Sequence, residues 1–345
     1  MKLAYKAYSL KFQYPFGISS GTKTHQPTLV VCLQHLGHTG WGEAPAITYY
    51  DISVEKMVED LERKRRMVEG FAFTDPERYW HYLHHVYPQN PFLVCALDMA
   101  GWDLYGKLRG KPLKDLWPPN ERQAPVTDYT IGIDTIEKMV EKMRSKPWSI
   151  YKIKLGTPND IEIIQQIRKH TSATLRIDAN AAWTADEALQ KIVAFKDLGV
   201  EFIEQPLAKG DWEGMKMLFQ HSPLPLIADE SCVKESDVDL CVNHFHGINI
   251  KLTKCSGITP ALRMITHARE LGLKVMLGSM NESTIGTAAI AHLLPQVDFV
   301  DADGPLLLEE DVATGLQFEE GGAVRTSGEP GLGIVFTDIF QKGAQ

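Results

Sequence analysis

The sequence predicts an α/β protein: a closed parallel barrel of eight strand–helix units, preceded by a smaller α+β domain. Three observations carry that expectation. The chain has 345 residues, well beyond one domain of about 150. Strands and helices come in separate runs at first, then alternate from Ala124 onward. Eight short apolar strands each end on a polar residue: Thr130, Lys154, Asp178, Glu204, Asp229, Lys251, Ser279 and Asp301. They follow one another at intervals of 22 to 28 residues, one strand–helix unit per step.

In the first domain, residues 2–12 alternate as a strand and 28–33 form a second. A turn at 37–40 leads into Trp41-Gly42-Glu43-Ala44. Helices are expected over 51–70, 75–87 and Pro91–Arg109, the last opened by proline and stopped by Gly110 and Pro112. Trp117-Pro118-Pro119-Asn120 reads as a rigid connector. The barrel strands are then 126–130, 149–154, Thr174–Asp178, 201–204, 226–229, 247–251, 274–279 and Phe299–Asp301, with amphipathic helical patterns between them.

Composition narrows the function. Apolar residues at 44% and charged residues at 23% are ordinary for a globular chain and exclude a disordered, collagen-like or coiled-coil one. A net charge of −8 lacks the basic footprint of a nucleic-acid binder, so no nucleic-acid partner is expected. No apolar run approaches the ~18 residues of a membrane helix, and residues 1–6 alternate instead of forming a signal-peptide core. A cytoplasmic protein with no membrane partner is expected. The five cysteines are scattered and never spaced C-x-x-C, so they read as reduced, buried thiols. His81, His84 and His85 read as surface or packing histidines, and the charged run 62–66 as a solvated helix face.

In such a barrel the C-terminal strand ends meet at one mouth. Asp178, Glu204 and Asp229 would be three carboxylates in one cavity, and protons or a cation must offset their repulsion. An oxygen-only set favours Mg2+ first and Mn2+ second. Asn180, Gln205, Glu230 and Ser231 follow closely enough to orient those ligands. Lys152 and Lys154, two apart on one strand, point to the same face. Neighbouring ammonium groups lower one another's pKa, toward a general base at neutral pH. Lys251 enters about halfway round the ring, across the metal, while Lys254 falls in the following loop as a structural residue. A metal between two amines fits removal of an α-proton from a metal-bound carboxylate substrate, with the enolate charge held by the ion. A second base returns the proton to the opposite face and yields the epimer; one base with a leaving group yields elimination.

At these residues the chain resembles the enolase superfamily and, within it, the muconate-lactonizing-enzyme subgroup. The motifs are Trp41-Gly42-Glu43-Ala44, the helix from Ala96 to Leu104, Lys152-x-Lys154, Asp178-Ala179-Asn180, Glu204-Gln205-Pro206, Asp229-Glu230-Ser231 and Lys251. The resemblance implies an α+β capping domain (1–123), a (β/α)7β TIM-type barrel (124–322) and a C-terminal segment (323–345) returning to the cap. The seventh strand lacks the histidine base of the mandelate-racemase branch. Asp301-Ala302-Asp303 resembles the signature of dipeptide epimerases, where carboxylates receive the substrate's α-ammonium; a helix N-cap would explain one of the two.

The resemblance further implies that Lys154 and Lys251 are the bases. Phe16, Thr130, Lys152, Ser279 and Asn281 would line the substrate, with Lys152 on its carboxylate. Ala-Glu epimerases carry an arginine in the loop after the first strand; Gly21 stands at its place here, with Lys23 nearby but out of register. The expectation is a homo-oligomeric, Mg2+-dependent isomerase with one ion per subunit. It would invert the C-terminal residue of a dipeptide that ends in a small or apolar residue, as in Ala-Ala, in preference to Ala-Glu. The alternatives are o-succinylbenzoate synthase or N-acylamino-acid racemase activity on the same scaffold, or a non-catalytic binding protein.

Overall fold

The computed structural model describes residues 1–18, 21–118 and 122–337. Pro119 and Asn120 of the expected connector lie outside the described residues. The first strands are β1 (Lys2–Ile18), β2 (Gly21–His35) and β3 (His38–Pro45), an antiparallel sheet in that order. Helices α1 (Val54–Glu69), α2 (Pro76–Val86) and α3 (Pro91–Arg109) follow, each started by a capping side chain: Ser53, Asp75 and Asn90. The third helix is apolar nearly all round because it is wedged between the small sheet and the barrel. Gly40 and Gly42 of β3 lie against the backbone of Ala100 and Ala96, where a Cβ would collide.

The barrel strands are β4 (Tyr129–Ile131), β5 (Ile150–Lys154), β6 (Thr174–Asp178), β7 (Val200–Glu204), β8 (Leu226–Ala228), β9 (Gly247–Ile250), β10 (Lys274–Gly278) and β11 (Phe299–Asp301). They pair in chain order, all parallel, and a bridge from Thr127 to Val300 joins the last strand to the approach of the first. Helices α4 (Ile136–Ser145), α5 (Asp160–Arg168), α6 (Ala185–Asp197), α7 (Trp212–His221), α8 (Leu252–Cys255), α9 (Ile258–Glu270) and α10 (Thr284–Leu293) occupy the intervals between strands. The interval from β8 to β9 departs from expectation: it holds only 3-10 turns at Glu235–Asp237 and Asp239–Cys241. Its short polar side chains compete for the backbone there, with Asp237 accepting from the N–H groups of Val233 and Lys234.

The two parts are joined by buried polar contacts from α3. Asp98 accepts from Thr259 N (3.0 Å) and Oγ1 (2.7 Å), and so caps α9. Asp103 accepts from Trp41 N and Leu332 N, each at 2.8 Å. The final described segment thereby reaches the first domain, where Phe336 stacks on Trp41 with ring centres 4.6 Å apart. All five cysteines are free and buried, and His84 stacks on Trp80. Among the described residues no helix is long and apolar enough to cross a membrane.

Candidate active site

Strands β6, β7 and β8 deliver Asp178, Glu204 and Asp229 to one place, fully or almost fully buried, with one carboxylate oxygen from each lying within 4.8 Å of the others. Burial raises the Asp178 carboxyl, but Lys154 and Lys152 outweigh it and hold the group at about 2. Asp229 is likewise held below the usual carboxylate range against its burial, by Lys251 and Lys254. Burial and the charge of Asp178 push Glu204 up instead. An all-oxygen set converging in this way suits a hard divalent ion.

The residues following the ligands fix their loops. Gln205, at φ 36°, accepts through Oε1 from the N–H groups of Asp229 and Ser231, both at 3.0 Å. Asn180 N donates to Asp178 Oδ1 at 3.0 Å, and its amide meets Glu230 at 3.4 Å. Asn249 Nδ2 donates to Glu204 Oε1 at 2.7 Å. A Cβ at position 278 would stand 2.6 Å from that Asn249 amide, so Gly278 leaves it the room to reach Glu204.

Lys154 and Lys251 face one cavity from β5 and from the end of β9, strands separated by three others in the eight-strand order. Lys154 Nζ lies 2.6 Å from Asp178 Oδ2 and Lys251 Nζ lies 2.8 Å from Asp229 Oδ2. Lys152 sits beneath them, 1% exposed, and does not line the cavity. Its ammonium contacts Glu204 and Asp301 at 2.8 Å and Asp178 at 3.2 Å. The downward pKa shift expected for Lys152 beside Lys154 is not seen, and Lys251 behaves alike. Burial does lower each, but Asp301, Glu204 and Asp178 outweigh it at Lys152, and Asp229 outweighs it at Lys251, leaving both raised. Lys254 lies on the one-turn helix α8, not in a loop, and braces Asp229 through its carbonyl and Oδ1, each at 2.6 Å.

The cavity has a volume of about 160 Å³ and opens to solvent. Phe16, Thr130, Ser279, Asn281 and Asp301 line it. Asp303 does not: it is 1% exposed, and its Oδ2 accepts from Thr130 N at 2.6 Å. Burial and the charges of Asp301 and Asp128 push its carboxyl well above the usual range, so the Asp-x-Asp motif presents one anion to the cavity. Asp303 also heads the short helix α11 (Gly304–Leu307), but its side chain makes no capping bond.

Lys23 corrects another expectation. It pairs with Phe16 across the β1–β2 ladder and lines the cavity, although Gly21 at the expected cationic place does not. Burial, then Lys154 and Lys251, lower its pKa, and it forms no ion pair among the described residues. Ser19 and Ser20 of that loop lie outside the described residues. Sequence reasoning also missed Ile47, Tyr49 and Tyr50, which wall the cavity from the segment after β3 and carry no periodic signal. Asn249 was legible in principle, two residues before Lys251 on the same strand face.

Comparison with known proteins agrees with this geometry. Residues 134–339 match the enolase C-terminal domain-like family, and residues 5–117 the N-terminal domain of mandelate racemase / muconate lactonizing enzyme. An L-Ala-D/L-amino acid epimerase of Flavobacterium johnsoniae is 51% identical over 334 residues, 97% of this chain and 99% of that one. A substrate-liganded L-Ala-D/L-Glu epimerase from Bacillus subtilis superposes with a TM-score of 0.91 at 29% identity, covering 97% of this chain and 99% of that one. A Cytophaga hutchinsonii dipeptide epimerase complexed with Mg and D-Ala-L-Val gives 0.92 at 26% identity, covering 99% and 97%. With the cluster of acids, the paired lysines and both domain matches in place, the chain belongs to the enolase superfamily and, within it, to the dipeptide epimerases.

Proposed function

We propose that the protein is a Mg2+-dependent dipeptide epimerase that inverts the α-carbon of the C-terminal residue. The observation that carries this reading is the pair Lys154 and Lys251, which enter one cavity from strands across the ring, with three acids between them. Asp178, Glu204 and Asp229 would hold one Mg2+, or Mn2+, whose charge offsets that of the substrate carboxylate and of the enolate. One lysine takes the α-proton and the other returns a proton on the opposite face. Lys152, under the floor, keeps the acids and Asp301 from repelling one another. Asp301 receives the α-ammonium, with Asp303 behind it fixing Thr130. Phe16, Thr130, Ser279 and Asn281 shape the walls. The same reading keeps the units 1–123, 124–322 and 323–345, a homo-oligomer and a cytoplasmic location.

Exchange of dipeptide α-protons in heavy water, followed by mass spectrometry, tests the reading. L,L dipeptides of the chemistry that the site accepts should gain one deuteron at the C-terminal residue. Asp301→Asn should lower kcat/KM for them by about 10²-fold, the loss of a buried charge-assisted pair, while sparing N-acylamino acids, which lack the ammonium. A panel with no exchange anywhere sinks the proposal.

On substrate choice, Gly21 at the cationic place favours small or apolar C-terminal residues. Lys23 in the cavity favours a second reading, an acidic side chain. Lys23→Ala should then lower kcat/KM for Ala-Glu by about tenfold and leave Ala-Ala within about twofold. Equal effects on both would leave only the first reading.

A further inference from the structure

Resting on the dipeptide-epimerase reading, we propose that Glu43, in the capping domain, is a positioning residue. It locks the barrel loop 279–281, against which the substrate lies. Glu43 is fully buried at the end of β3. Its carboxylate is shared between domains: Oε1 accepts from Thr28 Oγ1 (3.0 Å) on β2 and from Ser283 N (3.1 Å) in the barrel. Oε2 accepts from Ser283 Oγ (2.6 Å) and Gly286 N (3.0 Å) at the start of α10. Three of these four hydrogen bonds join segments 240 to 243 residues apart. Immediately before Ser283 lie Ser279, Met280 and Asn281, all lining the cavity, with Asn281 held at φ 64°.

The motif Trp41-Gly42-Glu43-Ala44 acquires a task here. Gly42 lets β3 lie on the backbone of α3, and Glu43 can then reach across to α10. Glu282 completes the lock. It is 3% exposed, folds back onto Met280 N at 2.5 Å and packs against Gly286, where a Cβ would stand 2.6 Å from it. The groups facing this cluster are Glu43 on β3, Cys95 on α3, Lys251 after β9 and, toward Glu43, Asp311. Burial, then the charge of Glu43, pushes the Glu282 carboxyl up to about 8. At neutral pH Glu282 is therefore largely protonated and tolerates Glu43. As pH rises through about 8 it ionises, two buried carboxylates repel, and the loop loosens.

The experiment compares wild type, Glu43→Gln, Ser283→Ala and Glu282→Gln. Glu43→Gln cannot accept from all four donors, so KM for the dipeptide should rise about tenfold, with kcat held within about twofold. Mg2+ affinity should not change, because the metal-binding acids lie on other strands. Amide hydrogen exchange over residues 279–286, measured without substrate, should quicken. Ser283→Ala should do the same more weakly and covers failure of Glu43→Gln to fold. Wild-type KM should climb above pH 8, and Glu282→Gln, which stays neutral, should flatten that climb. Unchanged exchange and unchanged KM in folded variants overturn the proposal, whatever happens to melting temperature. Quickened loop exchange in Glu43→Gln, alongside a wild type that turns over no dipeptide, would instead overturn the functional reading alone.

Discussion

Lys154→Ala and Lys251→Ala should each lower epimerisation by about 10³-fold, within the 10²–10⁴-fold range of a positioned base. They should also fail differently. Because the amines stand on strands across the ring, the proposed mechanism has each remove a proton from one face of the same carbon. Lys154→Ala should keep α-proton exchange from one epimer, with retention, and lose it from the other; Lys251→Ala should show the reverse. The fold should tolerate both changes. Asp178 keeps Lys152 at 3.2 Å, and Asp229 keeps Lys254 at 2.6 Å. Chiral chromatography coupled to mass spectrometry of each pure epimer in heavy water reads the outcome. If both variants lose exchange from the same epimer, the two-face arrangement is wrong.

Asp229→Asn should fail through both binding and stability. It removes an oxygen proposed to hold the metal, and it strands the buried ammonium groups of Lys251 and Lys254, which contact Asp229 at 2.8 and 2.6 Å. Calorimetric Mg2+ affinity should drop at least about 10²-fold, the upper end for groups that merely support ligands. Urea unfolding should lose about 3–5 kcal/mol, as when one partner of a buried pair is removed. Chelation of the wild type separates the two effects: activity vanishes while the fold persists, and Mg2+ or Mn2+ restores turnover. An Asp229→Asn protein with ordinary metal affinity would exclude Asp229 as a ligand.

The barrel and its cluster of three acids were legible because both depend on spacing. One polar residue at the end of each strand, repeated every 22 to 28 residues, places chain-distant groups in one mouth whatever the loops do. Depth was not legible. The alternation rule puts Lys152 and Lys154 on one face, but only packing decides that Lys152 is sealed under the floor while Lys154 borders the cavity. The same holds for Asp301 and Asp303, two apart yet one facing ligand space and the other Thr130. The sign of the Lys152 pKa shift was not legible, because strand alternation reveals the neighbouring amine but not how closely Asp301, Glu204 and Asp178 pack beside it. Lys23 was missed for a local reason: a register shift between Lys11 and Phe16 in the β1–β2 ladder, which sequence spacing does not reveal, sets which residue of the loop turns inward.

The reach of the last described segment back to the first domain bears on how the chain is made. Leu332 donates to Asp103, 229 positions earlier, and Phe336 covers the ring of Trp41. A ribosome extrudes Trp41 and Asp103 long before either partner exists. During synthesis the amino-terminal portion must wait, with one face of the indole uncovered and one oxygen of Asp103 still hydrated, until the tail emerges. Vectorial maturation of this protein therefore finishes at its beginning.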